Sequence, residues 1–292
     1  MNKKTRKAGA EAIEKKGWLR AHRWLLLRRF SQLSLLGLFL MGPLFGIWWL
    51  KGNIAASKLF DTIPLNDPYV LLQSVAAGFL PTVTALIGVS IVLISYILLG
   101  GRVYCSWVCP INIITDTADG LRRYFNINKG MGLTLSKQSR YWLLLMTLLL
   151  SASTGVLIWE IINPVTLLYR GLLYGIGLGW LFIIAIFIFD LFVSKNGWCG
   201  HLCPMGAFYS LLKLTSPLRV SATKREQCTN CMDCFIVCPE KQVISAPLYG
   251  ANKGISPLID SPNCTHCGRC MDVCNEDVFE FTLAKFKRNT KN

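Results

Sequence analysis

At 292 residues the chain is long enough for one large or two small domains, and its composition excludes an ordinary soluble protein. Apolar residues make up 52% and charged ones only 16%, with a mean hydropathy of +0.42, which places it in the membrane class. The net charge of +15 does not indicate nucleic acid, because residues 1–29 alone hold ten Lys/Arg against two Glu and most other basic residues flank apolar runs. That placement suits anionic headgroups and control of topology.

After the basic tail come four apolar stretches, at 30–50, 78–99, 141–159 and 171–193, each long enough to cross a hydrocarbon core as a helix. Pro43 and Pro81 are tolerable inside such helices, where neighbours satisfy freed carbonyls. Asp190 and Glu160 fall at helix ends, where a charge reaches water, and His22 lies in the basic tail without a signal of its own. Arg28-Arg29-Phe30 faintly resembles a twin-arginine export signal, but no small-residue cleavage site follows, so an uncleaved anchor is expected. Basic residues number ten in 1–29, two in 51–69, six in 100–140 and one in 160–170. The alternation predicts cytoplasmic termini and a cytoplasmic middle loop, with 51–69 and 160–170 as short outer loops.

The membrane part reads as a duplication. Pro68-Tyr-Val-Leu-Leu recurs as Pro164-Val-Thr-Leu-Leu, and Cys105-x-x-x-Cys109-Pro110 recurs as Cys199-x-x-x-Cys203-Pro204. Each half gives helix, outer loop, helix and thiol pair. An equal number of crossings makes the halves parallel and puts both thiol pairs at one cytoplasmic membrane surface.

Eight of the twelve cysteines lie in the last 65 residues. Cys228, Cys231, Cys234 and Cys238, followed by Pro239, match the bacterial C-x2-C-x2-C-x3-C-P run. Cys264, Cys267, Cys270 and Cys274 repeat the spacing, with Asn275 in place of proline. Zinc knuckles do not pack four cysteines so tightly. Three cysteines wrap one face of an iron–sulfur cube, and the fourth points to the other cube. One [4Fe–4S] cluster is therefore expected on Cys228, Cys231, Cys234 and Cys274, and another on Cys264, Cys267, Cys270 and Cys238. His266, inside the second loop, is read as exposed or cluster-adjacent rather than a ligand.

Residues four apart on a helix are neighbours, so each Cys-x-x-x-Cys pair shares a face. Three roles are open to Cys105, Cys109, Cys199 and Cys203: a third metal centre, a dithiol/disulfide couple, or docking of a partner's redox centre. Inert burial is the fourth. Trp107, Trp198 and Tyr104 beside them suit an interfacial belt as well as a quinone contact, and His201 suits a proton acceptor, a ligand or an exposed polar residue.

Four helices, two Cys-x-x-x-Cys-Pro motifs and a double ferredoxin run together resemble the NapH family, ferredoxin-type membrane subunits associated with periplasmic nitrate reduction. The resemblance covers nearly the whole chain. It implies an inner-membrane protein that passes electrons from quinol toward the nitrate reductase, with a periplasmic multi-cluster ferredoxin and a membrane-anchored multihaem cytochrome as partners. Larger relatives append a flavin-bearing or a further C-terminal domain, for which eight residues beyond the head and 29 before the first helix leave no room. The expected architecture is a basic tail (1–29), a four-helix membrane domain in tandem duplication (30–216), an α+β two-cluster ferredoxin-like head (217–284) and a short basic end (285–292). The alternative function is a redox or copper-handling assembly factor for a respiratory complex. Clusters on the cytoplasmic side and an acceptor in the periplasm also require electrons to cross the bilayer.

Overall fold

The computed structural model describes residues 8–125, 127, 136–175, 177–213 and 216–283. The start of the basic tail, Lys129 in the middle loop and the basic end at 285–292 lie outside the described residues. The chain divides into two compact units, one made of 1–30, 97–107 and 210–292, the other of 31–96 and 108–209.

The helix Arg23–Phe45 is 23 residues long and is the one described helix both long and apolar enough to cross a membrane. It starts seven residues before the predicted stretch because the carboxylate of Asp272 accepts the Trp24 and Leu25 amides at 3.0 and 2.9 Å. These are first-turn N–H groups that the helix itself cannot satisfy. The other predicted spans hold shorter helices, Val83–Leu99 and Ser139–Thr154. The fourth is not continuous. The helix Pro164–Tyr174 ends at Gly175, whose φ of 89° an L side chain rarely adopts, and a new helix runs Leu178–Ile188 into a π turn at Phe189–Val193.

The two predicted outer loops are built elements. Leu50–Gly52, Ala56–Leu59 and Ile63–Asn66 form a three-stranded antiparallel sheet. The short helices Pro68–Ala76 and Pro164–Tyr174 then begin alike, with proline at the first helical position and an Asx cap. Asp67 accepts the Tyr69 and Val70 amides at 2.8 and 3.2 Å, and Asn163 accepts that of Val165 at 3.1 Å. Both caps are buried.

In the cysteine-rich unit, Leu218–Ser221 pairs antiparallel with Glu280–Leu283, and Asp233–Val237, Gln242–Tyr249 and Arg269–Asp272 are helical. Val220, Val243, Ile244, Leu248, Ile259, Val278 and Phe279 form its core. Each fully buried aliphatic or aromatic side chain contributes about 1.5–3 kcal/mol, a small total for a domain of this size. Such heads depend on staples.

The tail is not free. Its helix Ala10–Lys16 is fixed to the head by Gly9 N–H donating to Asp233 Oδ2 at 2.8 Å, by Asn275 Nδ2 donating to Glu11 at 3.2 Å, and by the Lys15–Glu276 pair at 2.6 Å.

Candidate functional site

The two cysteine loops repeat one backbone. Asn230 and Met232 in the first, and His266 and Gly268 in the second, all have positive φ, two and four residues after the leading cysteine of each run. These left-handed residues curl each loop tightly at matching positions. At Gly268 a Cβ would lie 2.5 Å from the Trp24 ring, so close approach as well as φ requires glycine.

The structure brings Cys228, Cys231 and Cys234 together with Cys274 around one cavity, whose walls include Leu248, Val278 and Phe279. Cys238 falls instead in the electrostatic neighbourhood of Cys264 and Cys267, and Cys270 in that of all three. Cys270 also lies in the electrostatic neighbourhood of Cys234. Among the described residues no three His, Cys, Asp or Glu side chains close around a single ion.

The donor chemistry fits an iron–sulfur cube. Each expected set offers four thiols in apolar surroundings, and Val278 N–H donates to Cys274 Sγ at 3.4 Å, the kind of contact that tunes a cluster sulfur. Burial pushes the Cys234 thiol up to about 12 and also raises Cys238, Cys264, Cys270 and Cys274. Thiolates there need a compensating metal.

The second loop is held by the segment that carries the first membrane-edge thiol. Arg102 Nη1 donates to Asn263 O at 2.8 Å, Ser106 Oγ to Thr265 O at 2.6 Å, and Trp107 Nε1 to His266 O at 3.1 Å. Arg102 is also hydrogen-bonded to Cys105. Trp107 therefore serves the head, a role that residue spacing did not disclose. His266 is buried, contrary to an exposed placement, and stacks on Phe281, with burial lowering it to about 3. Arg102 and Lys213, a lysine buried in the same unit, were both missed as site residues. Only its three-residue distance from Cys105 marked Arg102 in the sequence.

Both Cys-x-x-x-Cys motifs form π turns, Tyr104–Val108 and Trp198–Leu202, rather than α-helical ones. The proline that follows each pair has no N–H to donate and so ends the turn. Such insertions recur at functional sites. Cys105 belongs to the cysteine-rich unit, and Cys109, Cys199 and Cys203 to the other. In that second unit Cys199 Sγ lies 3.9 Å from Thr115 Oγ1, on the helix following Cys109, while Cys109 and Trp198 pack on one cluster of Ile111, Val165, Leu168 and Ile183.

The two short capped helices cross over between the repeats. Pro164–Tyr174 of the second repeat packs through Val165 and Leu168 against Cys109 and Ile111 of the first. Pro68–Ala76 of the first meets the segment after Cys203, through Tyr209 Oη donating to Asp67 Oδ2 at 2.7 Å and the Tyr69–Phe208 ring contact. Beside the first of these helices lies a cavity of about 590 Å³ lined by Pro43, Trp48, Asn53, Ala56, Thr166, Tyr169, Arg170 and Tyr174. Thr166 Oγ1 connects it to Glu160 by a 3.1 Å hydrogen bond.

The geometry is matched by likeness to known proteins. The ferredoxin-type protein NapH of Escherichia coli is 52% identical, the match covering 97% of this chain and 97% of that protein. The chain belongs to the NapH family. NapH of Haemophilus influenzae is 49% identical over 94% of this chain and 95% of its own. The methylamine utilization ferredoxin-type protein MauN of Methylorubrum extorquens is 47% identical over 94% of each. A 4Fe-4S binding domain matches this NapH-family chain twice, at 81–128 and 176–219, once for each thiol pair, and a 4Fe-4S dicluster domain matches 227–278. No solved structure matches. The chain is a ferredoxin-type iron–sulfur electron-transfer protein.

Proposed function

We propose that this chain is a multi-pass inner-membrane subunit, with cytoplasmic termini, that carries two [4Fe–4S] clusters and moves electrons from quinol toward a periplasmic nitrate reductase. Its partners are a periplasmic multi-cluster ferredoxin and a membrane-anchored multihaem cytochrome. The reading is supported by the one cavity that Cys228, Cys231, Cys234 and Cys274 share and by the hydrogen bonds that tie the second loop to the Cys105 segment. Cys228, Cys231, Cys234 and Cys274 hold one cluster, and Cys264, Cys267, Cys270 and Cys238 the other. When bound, each cluster supplies one-electron transfer.

The chain's own residues do the positioning. Arg102, Ser106 and Trp107 hold the second loop against the segment of Cys105. Cys105, Cys109, Cys199 and Cys203 relay electrons or dock the centre that does so. The membrane reading is supported by outward apolar side chains on all four helices, among them Leu33, Ile94, Leu149 and Leu181, which gain free energy only in lipid or against a partner.

The quinol reading is supported by the cavity beside Tyr169. Its volume lies within the roughly 300–1,000 Å³ of small-molecule sites, its walls are largely aromatic and apolar, and Thr166 opens toward the carboxylate of Glu160, a proton acceptor. The test is anaerobic oxidation of a quinol analogue by the full chain in lipid discs together with its periplasmic ferredoxin partner. Reduction of the partner supports the reading. A chain with full iron content that leaves the quinol unoxidised overturns the quinol part alone.

A further inference from the structure

Lys213 is 2% exposed, yet among the described residues its ammonium is met by backbone carbonyls alone, Ser261 O at 2.8 Å and Ile259 O at 3.5 Å. Among the described residues no carboxylate lies within ion-pair reach of it. A buried ammonium without a counter-ion either loses its proton or sits beside a negative charge. The Ser261 carbonyl that receives Lys213 also accepts the Cys264 N–H at 3.2 Å, so the ammonium and the first thiol of the second loop share one anchoring atom. Lys213 and Arg102 are both cations that act on Cys264. Arg102 is balanced by Glu240 at 3.0 Å. Lys213 is not.

Among the described residues the first set of thiols has no buried lysine without an ion pair beside it. Lys16, a cation that acts on Cys274 and donates to its carbonyl, is shared with the carboxylate of Asp277. Four thiolates around an iron–sulfur cube give the whole a net negative charge that grows by one on reduction. A fixed, unbalanced buried cation favours the reduced state.

We propose that Lys213 is the buried counter-charge of the cluster on Cys264, Cys267, Cys270 and Cys238, and that it holds this cluster at the higher potential of the two. Electrons then rest at the loop bound to the Cys105 segment and not at the far set of thiols. Lys213 is a positioning residue in charge, ten residues beyond Cys203, so the second repeat contributes its cation just as the first contributes Arg102. The inference rests on the ligand sets proposed above.

Redox titration of the full chain, followed by EPR under anaerobic conditions, tests it. In Lys213→Gln, which keeps a donor for the carbonyls but no charge, one cluster's one-electron equilibrium shifts at least tenfold toward oxidation, about 59 mV more negative, while the other stays in place. Lys213→Arg restores the parental value. Loss of iron in Lys213→Gln with retention and parental potentials in Lys213→Arg also supports the charge requirement. Unchanged potentials in a fully loaded Lys213→Gln, equal shifts of both clusters, or loss of iron in Lys213→Arg as well overturns it. A parental chain with fewer than two clusters overturns the ligand reading instead.

Discussion

Arg102 Nη1 lies 3.0 Å from Glu240 Oε1, with the two side chains only 2% and 3% exposed. They join a segment just before Cys105 to the turn just after Cys238. Breaking a buried pair leaves one charge without compensation, which costs about 3–5 kcal/mol. Glu240→Gln is therefore expected to destabilise the cysteine-rich unit by that amount, read as an earlier thermal loss of cluster absorbance. Arg102→Lys should not rescue, because a single ammonium cannot serve Glu240, Asn263 O and Cys105 as a planar fork does.

Asp272 caps a helix from outside it. Its carboxylate holds the Trp24 and Leu25 amides, and removing such a cap costs about 0.5–2 kcal/mol. Hydrogen exchange at the amides of Trp24 and Leu25 should accelerate in Asp272→Ala, while amides near the middle of the same helix stay protected.

The relay role of the membrane-edge thiols is separable from an assembly role. Cys105→Ser and Cys109→Ser should each slow steady-state electron flow more than about tenfold at unchanged head iron. An assembly factor would leave turnover normal in a complex matured before the thiol was lost, for instance one alkylated at Cys105 after purification.

Filling the membrane-unit cavity should act on quinol alone. Ala56→Trp places a ring in the space lined by Trp48, Thr166 and Tyr169, and is expected to raise the quinol KM by about tenfold or more with little change at saturation. Iron content and cluster EPR should match the parent.

Much of the head was legible because its constraints are local. Two-residue spacing dictates a tight loop, and a fourth cysteine one short helix later is carried away from its own loop, so the approach of Cys274 to Cys228, Cys231 and Cys234 followed from spacing. The duplication was equally open, since both Asx-Pro helix starts and both Cys-x-x-x-Cys-Pro turns recur at nearly one offset. What escaped depended on long-range packing. No local pattern says that Pro164–Tyr174 packs on the other repeat's Cys109, or that Lys213 ends at the Ser261 carbonyl. The stretch 171–193 read as one span because hydropathy is blind to the positive φ of Gly175. The tail 1–29 read as a run of charge for anionic headgroups because the carboxylates that bind its first helix lie more than 200 residues away.

Iron content and EPR of the full chain, purified without oxygen, test the central claim most directly. About eight irons per chain and two magnetically interacting clusters on reduction are predicted. A colourless preparation with zinc or less than about half that iron would contradict it.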